Sequence, residues 1–220
     1  MSITVRTVLF DLDGTLADTA PDLAYALNET LKHNNCAPLP FETIRPVVSH
    51  GGIALIKLGF NIGPGHCDYE AIRKQLLDTY LANIANETTL FEGVDELLLQ
   101  LEHRDIRWGV VTNKPAWLTD PLMEALDLTQ RAASIVSGDT LNERKPHPAP
   151  ILYACEQTGA KPHECLYVGD AQRDIEAGNR AGLKTLAALF GYIQDNDDPA
   201  LWQADAMINS PLEVLDWLDI

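Results

Sequence analysis

The 220-residue sequence predicts an α/β fold, with a Rossmann-like parallel sheet core and an inserted α-helical cap domain. Short apolar stretches typical of buried strands alternate with segments whose apolar residues recur at helical spacing. Parallel strands joined by right-handed crossovers produce this pattern. Between the first strand and the others, residues 18–87 show helical periodicity and no convincing strand. Polar residues follow directly after several strands, where open parallel sheets hold their ligands.

The first predicted strand covers residues 4–10, which are mostly β-branched or apolar and run into Asp11. Helical segments follow, ended by prolines and by a cluster of glycine and proline. Since no strand pattern interrupts them, we assign 18–87 to the helical cap domain and 1–17 with 88–220 to the catalytic core. The helical segments of the cap lie at 19–31, 53–58 and 69–85.

The C-terminal part of the chain alternates between strands and helices. Each predicted strand is a short apolar run, and each predicted helix carries apolar residues three or four positions apart. The predicted strands are 107–111, 134–137, 165–168, 185–189 and 206–208, and the predicted helices are 93–103, a segment containing Leu122, Met123 and Leu126, then 148–157, 175–180 and 212–218.

The charge of the chain limits its partners. Acidic residues outnumber basic ones 32 to 16, which gives a formal net charge of −16. Such a surface repels nucleic acid and anionic lipid, and no apolar run approaches membrane-spanning length. We therefore expect no nucleic acid and no membrane as partners. An anionic substrate would also be repelled, so a phosphate site here requires a local cation.

The four cysteines, at 36, 67, 155 and 165, are scattered and form no Cys-x-x-Cys pair. In a chain of this length the pattern is typical of reduced thiols rather than of a disulfide framework or a zinc site. Because the N-terminal segment also lacks a long apolar stretch, we expect a cytoplasmic protein.

Asp11 and Asp13 stand two residues apart at the end of the first strand, so their side chains can point to the same side of the sheet edge. Two carboxylates this close tend to raise the pKa of one of them and to attract a hard cation. The alternative is a plain turn, because Asp-Gly is common in turns. We favour the functional interpretation, since the pair ends a wholly apolar strand and other strand ends carry matching residues.

Four other polar residues stand at element ends where they can complete a phosphate site. Thr112 follows a strand and offers a hydroxyl, or else it caps the next helix. Lys145 lies in a proline-stiffened loop and is either a point charge for a phosphoryl group or a solvated surface lysine. Asp170 ends a strand and can reach a metal ion. Asp174, one helical turn later, can hold Lys145 or a metal-bound water, and can also cap its helix.

The order of these residues carries a family resemblance. The chain contains Asp-x-Asp-Gly-Thr at 11–15, then Thr112, then Lys145, then Gly-Asp-x-x-x-Asp at 169–174. With these motifs it resembles the haloacid dehalogenase-like superfamily of phosphotransferases over essentially its whole length, in the phosphoglycolate-phosphatase-like branch with a helical cap. Several segments are also similar to the N-acetylmuramic acid 6-phosphate phosphatases of bacterial cell-wall recycling, namely 48–52, 90–93, 108–115, 191–193, 202–205 and 211–213.

The resemblance implies a Mg²⁺-dependent phosphatase acting on a small phosphorylated metabolite, such as phosphoglycolate or N-acetylmuramic acid 6-phosphate, as a monomer or homodimer. Asp11 would attack phosphorus and form an aspartyl-phosphate, and Asp13 would protonate the leaving oxygen and then activate water. The other implied roles are Mg²⁺ binding by Asp11, the backbone carbonyl of Asp13 and Asp170, phosphate binding by Thr112, Asn113 and Lys145, support of these groups by Asp174, and substrate contacts from Ser49, His50, Gly51 and Gly52 in a polar loop between two cap helices.

The motifs leave other functions on the same core open. A sugar phosphomutase uses the same core but must exclude water from the aspartyl-phosphate, and a non-catalytic phosphate-binding module could do without Asp11 or Asp13. A haloacid dehalogenase has no leaving-group oxygen to protonate, and a phosphonate hydrolase, for which Lys57 is available, usually lacks the second aspartate. Asp13 therefore counts against both. His50 is either a substrate contact or a solvated loop histidine.

Overall fold

Residues 5–219, which the computed structural model describes, form eight β-strands and eight α-helices. The strands are β1 (Thr7–Phe10), β2 (Ala17–Asp18), β3 (Thr89–Leu90), β4 (Arg107–Val111), β5 (Ser134–Val136), β6 (Cys165–Gly169), β7 (Lys184–Ala188) and β8 (Ala206–Ile208). The α-helices are α1 (Ala20–His33), α2 (Phe41–Ile44), α3 (Gly51–Phe60), α4 (Tyr69–Leu81), α5 (Val94–His103), α6 (Ala116–Ala125), α7 (Ala149–Thr158) and α8 (Gln172–Ala181). None of these described helices combines the length and the apolar character needed to cross a membrane.

Six of the strands form one parallel sheet in the order β5-β4-β1-β6-β7-β8. Strand β1 lies near the middle, with Phe10 opposite Val110 of β4 and Val168 of β6. Because the strands point the same way, the residues that follow β1, β4 and β6 meet at one edge of the sheet. The parallel α/β core predicted from the sequence is confirmed.

Helices cover both faces of the sheet, which is why its central strands are apolar at nearly every position. Successive side chains of β1 point to opposite faces. Val8 and Phe10 pack in one hydrophobic cluster with residues of α5 and α6, and Leu9 packs in another with residues of α7 and α8. Burial of β1 on both faces fixes its register, so Asp11, directly after it, has a defined position.

Helices α1, α3 and α4 pack on one another around a separate hydrophobic cluster. Its members from α1 include Leu23, Leu27 and Leu31, which recur every four residues and so lie on one face of the helix. Leu118 and Tyr192, from the sheet-containing part of the chain, join the same cluster. The helical layer therefore rests on the carboxyl edge of the sheet.

The chain segments that lead into and out of the helical layer are held together. Strands β2 and β3 pair antiparallel, and next to them Asp22 of α1 accepts hydrogen bonds from the backbone N–H groups of Glu87 and Thr88 and from the Thr88 hydroxyl. A buried carboxylate with several donors fixes this junction firmly. The division of the chain into a cap of residues 18–87 and a core stays a prediction.

The helix predicted over 69–85 is shorter than expected, because α4 ends at Leu81. Just beyond its end, the Asn83 side chain donates a hydrogen bond to the Thr79 carbonyl, which competes with continuation of the helical ladder. Ile84 then packs against the hydrophobic cluster of the sheet core. Packing against the core thus ends a helix whose apolar period continues in the sequence.

Several short elements were not predicted. Strands β2 and β3 have two residues each, so they leave no period to detect, and their pairing joins distant parts of the chain. Helix α2 and the 3₁₀ helix Arg45–His50 that follows it are also new. The helix predicted over 212–218 is a 3₁₀ helix, Pro211–Trp217. Strand β1 begins at Thr7, and Thr4, where the prediction began, lies outside the described residues.

Candidate active site

Asp11 lies immediately after β1 and is 3 % exposed. Its Oδ1 is 2.9 Å from the Nζ of Lys145, and its Oδ2 is 3.9 Å from the Nη2 of Arg173. Burial raises the pKa of the Asp11 carboxyl, but the charges of Lys145 and Arg173 outweigh burial and hold that pKa below its ordinary value. Asp11 is therefore an ionised carboxylate, the form in which it can act as a nucleophile.

Lys145 has a fully buried side chain, although it lies in the loop before α7. Its Nζ donates hydrogen bonds to the Val111 carbonyl (2.6 Å) and the Tyr167 hydroxyl (2.8 Å). The same atom lies 2.9 Å from Asp11 Oδ1 and 2.7 Å from Asp174 Oδ1. The interpretation of Lys145 as a solvated surface lysine is therefore wrong. Surrounded by these oxygens, its ammonium is a fixed point charge.

Thr112 and Asn113 follow β4 at the same edge of the sheet. The Thr112 hydroxyl accepts a hydrogen bond from the Lys114 N–H (3.1 Å) and can still donate its own proton. The Asn113 side chain accepts a hydrogen bond from the Lys145 N–H (3.0 Å) and donates one to the Lys145 carbonyl (2.9 Å). Because this side chain fixes the loop that carries Lys145, the group of Asn113 that can reach a phosphate is its backbone N–H.

Asp170 follows β6 and is 1 % exposed. Its Oδ2 accepts hydrogen bonds from the Ser49 hydroxyl (2.6 Å) and the Tyr192 N–H (2.9 Å). Its Oδ1 is buried and has no hydrogen-bond partner within the described part of the chain. Burial, together with the negative charges of Asp11 and Asp174, raises the pKa of Asp170 to about 7.

Asp11, Asp170 and Asp174 form a buried carboxylate cluster, in which one oxygen of each lies within 4.8 Å of the others. Carboxylates this close repel one another, and a hard divalent cation relieves that repulsion. Since Asp174 is already 2.7 Å from Lys145, Asp11 and Asp170 are the carboxylates best suited to a cation. The unpartnered Oδ1 of Asp170 is a ready ligand atom, so these residues fit a divalent cation. The carbonyl of Asp13 stays a predicted ligand.

Two glycines allow the chain to pass close to Asp170. Gly14 has a positive φ of +85°, and a Cβ at this position would lie 2.1 Å from Asp170 Oδ2. A Cβ on Gly191 would lie 2.3 Å from Asp170 Cβ. A side chain at either position would displace the Asp170 carboxylate, which gives a physical reason for the glycine that follows Asp13.

Asp13 lies beside a second buried lysine. Its Oδ1 accepts hydrogen bonds from Lys114 Nζ (2.6 Å) and from the Thr19 hydroxyl (2.7 Å). The Lys114 ammonium also lies 4.8 Å from the centre of the Tyr80 ring, which belongs to α4. Burial opposes the charged ammonium, but Asp13 and Tyr80 raise the pKa of Lys114 above its ordinary value. Lys114 therefore stays charged and holds Asp13 in place.

The four residues predicted to contact substrate do not form a loop, so that part of the prediction is wrong. Ser49 and His50 end the 3₁₀ helix, and α3 begins directly at Gly51. The positive φ of Gly51, +73°, lets the chain change direction between the two helices without intervening residues. All four residues, Ser49, His50, Gly51 and Gly52, nevertheless line the cavity above the sheet edge.

Direct contacts close the helical layer over the sheet edge. The Ser49 hydroxyl reaches Asp170, as described above, and Arg173 Nη2 donates a hydrogen bond to the Ser49 carbonyl (2.7 Å). Nearby, the Arg45 guanidinium lies 4.9 Å from the centre of the Tyr192 ring. These contacts join the helical layer to the same residues that surround the carboxylate cluster.

Between the two layers lies a cavity of about 520 Å³. Small-molecule sites in proteins are typically roughly 300–1,000 Å³, so this one is large enough for a metabolite with a ring. The sheet side is lined mostly by polar groups, and the helical side combines apolar residues with the polar Ser49, His50 and Arg73. The lining includes Asp11, Asp13, Thr112, Asn113, Lys114, Lys145 and Arg173 from the sheet side, and Leu23, Val48, Arg73, Leu77 and Tyr80 from the helical side.

Sequence reasoning gave no role to Lys114 or Arg173. Both are close to residues that it did select, since Lys114 lies two positions after Thr112 and Arg173 directly precedes Asp174. The signal available was a basic residue beside a polar strand end in a strongly acidic chain. Whether such a side chain points into the site depends on the path of the chain just after the strand, in a loop for Lys114 and in the first turn of α8 for Arg173, and hydrophobic periodicity does not reveal that path.

The chain is similar to known proteins over nearly all of its length. The sequence profile of haloacid dehalogenase-like hydrolases matches residues 8–188. A phosphoglycolate phosphatase of Xanthomonas campestris pv. campestris is 42 % identical over 209 residues, covering 94 % of this chain and 93 % of that protein. The N-acetylmuramic acid 6-phosphate phosphatase of Pseudomonas aeruginosa is 39 % identical over 215 residues, covering 98 % of this chain and 95 % of that protein.

A crystal structure shares this fold throughout. It is that of a predicted phosphoglycolate phosphatase from Haemophilus somnus, with a TM-score of 0.87 at 29 % identity, covering 97 % of each chain. These matches confirm the resemblance drawn from the motifs. The chain belongs to the family of haloacid dehalogenase-like hydrolases.

Proposed function

We propose that this chain is a Mg²⁺-dependent phosphomonoester hydrolase that works through an aspartyl-phosphate on Asp11. The observation that carries the proposal is the pairing of an ionised, buried Asp11 with the fully buried ammonium of Lys145, 2.9 Å away. A carboxylate in this form can attack a phosphoryl group while the fixed cation offsets the charge of both partners. The names of the relatives that are 42 % and 39 % identical, both phosphatases, support the same activity.

The reaction runs in two displacements. An oxygen of Asp11 attacks phosphorus, the bond from phosphorus to the ester oxygen breaks, and Asp13 gives that oxygen a proton as the alcohol leaves. A water molecule then attacks the phosphorus of the aspartyl-phosphate while Asp13 takes up one of its protons. The bond from phosphorus to Asp11 breaks, and inorganic phosphate and the free carboxylate are restored.

Lys114 fixes the position of Asp13, which acts in both halves of this cycle. Its ammonium lies 2.6 Å from Asp13 Oδ1, and the Thr19 hydroxyl donates a hydrogen bond to the same oxygen. These two contacts orient the carboxyl group toward the space where the leaving oxygen and then the water molecule must lie. Tyr80 covers the pair from the helical layer and keeps bulk water from it.

The phosphoryl group is held by donors from two loops and from the first turn of α8. The Thr112 hydroxyl, the Asn113 N–H and the Lys145 ammonium belong to residues that line the same cavity as Asp11, and the Arg173 guanidinium of α8 lies 3.9 Å from Asp11 Oδ2. Fixed donors of this kind stabilise charge that develops on the phosphoryl oxygens. Mg²⁺, which Asp11, Asp170 and the Asp13 carbonyl would hold, adds charge neutralisation when it is bound.

The substrate in this proposal is a small phosphorylated metabolite, and the candidates are phosphoglycolate and N-acetylmuramic acid 6-phosphate, for which the two relatives are named. The second would place the enzyme in peptidoglycan recycling and carbohydrate metabolism. A cytoplasmic location is part of the proposal, and the free state of all four cysteines supports it. A monomer or a homodimer remains the expectation.

The purified protein should release phosphate from p-nitrophenyl phosphate and from phosphorylated sugars in Mg²⁺, and EDTA should abolish the release. The reason is that the cation offsets the carboxylates that face the phosphate. Malachite-green detection of phosphate across a panel of monoesters measures it. A protein that releases no phosphate from any monoester in Mg²⁺ would be a binding module rather than a hydrolase. Transfer of the phosphoryl group to a sugar hydroxyl instead of water would identify a phosphomutase.

Mg²⁺ should raise the melting temperature more at about pH 8 than at about pH 5. Without a cation, the folded state keeps a proton on Asp170 up to about pH 7, whereas an unfolded chain loses it near the ordinary value of 3.8. The contribution of this group to stability therefore falls as the pH rises through that window. A bound cation restores this stability because it binds the ionised carboxylate of Asp170. Thermal unfolding in Mg²⁺ and in EDTA at both pH values measures the difference.

The control for this measurement is Asp170→Asn, which has no proton to lose. In that variant the Mg²⁺-induced shift should be small at both pH values. Equal shifts at both pH values in the unmodified protein would show that Asp170 is not the carboxylate that the cation engages.

A further inference from the structure

Five of the 16 lysines and arginines of the chain line the cavity between the sheet edge and the helical layer. Three of them are paired with catalytic carboxylates, since Lys114 contacts Asp13 while Lys145 and Arg173 lie 2.9 Å and 3.9 Å from Asp11. The remaining two, without an ion pair in the described part of the chain, are Arg73 and Arg144.

Arg73 differs from Arg144 in its environment. Arg144 is exposed, as a solvated cation usually is, whereas Arg73 is partly buried in the wall of the cavity. No other described side chain or carbonyl accepts a hydrogen bond from its guanidinium, although the chain has a net charge of −16. A partly buried guanidinium without a partner is stabilised by an anion, so its place in this wall favours a ligand that brings one.

Arg73 lies on the same face of α4 as two other residues of the cavity wall, Leu77 and Tyr80. Their spacing of four and seven residues puts them one and two helical turns from Arg73. Tyr80 marks the reacting end, because its ring contacts Lys114, which holds Asp13. Seven residues of helix correspond to about 10 Å, so the backbone of Arg73 lies about that far from the backbone of Tyr80, whose ring marks the reacting end.

Apolar residues line part of the cavity between Arg73 and Tyr80. Leu77 lies between these two residues on α4, and Leu23, Val48 and Leu118 line the same cavity, as do the polar Ser49 and His50. The apolar groups suit the carbon faces of a ring, and the polar ones suit its hydroxyl substituents. The cavity therefore fits a ring that carries its phosphate at the reacting end and a second anion near Arg73.

We propose that Arg73 binds a carboxylate of the substrate at the end opposite the phosphate, and thereby selects phosphorylated sugar acids over simple sugar phosphates. This rests on the proposed phosphatase function. Arginine is suited to the task because its planar fork matches a carboxylate with two parallel hydrogen bonds. In phosphoglycolate the carboxylate lies next to the phosphate ester, too near to span about 10 Å. In N-acetylmuramic acid 6-phosphate a sugar ring separates the two groups.

The test compares two sugar phosphates that differ only in the carboxylate-bearing lactyl group, N-acetylmuramic acid 6-phosphate and N-acetylglucosamine 6-phosphate. We expect the unmodified enzyme to have the higher kcat/KM for the first. Arg73→Gln should lower the ratio of the two kcat/KM values by at least about tenfold, because a charge-assisted pair of hydrogen bonds is lost. Most of the change should appear in KM, since Arg73 lies far from the reacting atoms.

The matched control is Lys74→Gln, which removes a positive charge from the neighbouring, solvent-facing position of α4. That variant should leave both kcat/KM values as they are, which separates a direct contact from a long-range effect of charge. Turnover of p-nitrophenyl phosphate by Arg73→Gln shows that the variant is folded and that the phosphate end of the site is intact.

Two results would overturn the proposal while leaving the phosphatase function in place. One is an unmodified enzyme that hydrolyses p-nitrophenyl phosphate but does not prefer the sugar acid phosphate. The other is an Arg73→Gln variant that lowers kcat/KM for both sugar phosphates equally. An unmodified enzyme that releases phosphate neither from the three compounds nor from phosphoglycolate would instead refute the phosphatase function, and this proposal with it.

Discussion

Replacement of Asp11 by asparagine is expected to lower phosphate release by at least about 10⁴-fold. The amide has nearly the shape of the carboxylate, but it lacks the anionic oxygen that attacks phosphorus. Burial raises the pKa of Asp11, but the charges of Lys145 and Arg173 hold it below its ordinary value and so favour the ionised oxygen. Phosphate release from p-nitrophenyl phosphate in Mg²⁺, measured for both proteins, gives the ratio.

The variant should still fold and bind inorganic phosphate. The substitution removes one negative charge from a site that receives an anion, and it leaves Lys145 paired with Asp174 at 2.7 Å. Calorimetric titration with inorganic phosphate, together with a thermal unfolding curve, separates loss of chemistry from loss of structure. The control is Asp78→Asn, at an exposed position of α4 that contacts only Lys74 in the described structure.

Formation of the aspartyl-phosphate can be detected directly. Acid quenching of the unmodified enzyme during turnover, followed by mass spectrometry of its peptides, should find one phosphoryl group on Asp11. An Asp11→Asn variant that turns over at the unmodified rate would exclude Asp11 as the nucleophile. The same conclusion would follow if the phosphoryl group were found on another residue.

The sequence was sufficient to predict which residues lie at the carboxyl edge of the sheet. Apolar runs indicate the strands, and the site residues follow directly where those runs end. Strand β1 is buried at every position and ends directly before Asp11, and strands β4 and β6 end directly before Thr112 and Asp170. Parallel strands with buried faces can be arranged in few ways, so their carboxyl ends had to meet. The residues that this reasoning selected are those that lie directly at strand ends.

What could not be predicted depends on contacts between distant parts of the chain. The pairing of β2 with β3 and the position of Tyr80 over Lys114 are set by how the helical layer rests on the sheet. The same holds for Ser49, whose hydroxyl reaches Asp170 only because two helices meet at Gly51. Nothing in the local sequence encodes such contacts, since they follow from tertiary packing.

Lys145 shows most clearly what the sequence could not predict. From the sequence, its burial could not be distinguished from exposure, because a loop has no hydrophobic period. In the structure its loop is held by the Asn113 side chain, which hydrogen-bonds both backbone groups of Lys145. The buried side chain then reaches the carboxyl edge of the sheet, where its Nζ donates hydrogen bonds to the Val111 carbonyl and the Tyr167 hydroxyl.

Substitution of Lys145 by methionine is expected to lower the free energy of unfolding by about 3–5 kcal/mol, because it leaves buried carboxylates without their counter-charge. Asp11 and Asp174, both almost fully buried, would then face each other across an apolar side chain. Catalysis should be lost as well, since the ammonium offsets the charge of the attacking group and the phosphate. Urea unfolding and phosphate release measure the two effects.

The loss of stability should shrink at low pH, which distinguishes charge from packing. In the variant, the two carboxylates can become neutral by taking up protons, and the penalty falls as they do so. Lys184→Met is the control, since its exposed ammonium pairs with Asp205 at the surface and its loss should cost no more than about 1 kcal/mol. A Lys145→Met protein as stable as the unmodified one at neutral pH would show that Lys145 does not hold the carboxylates together.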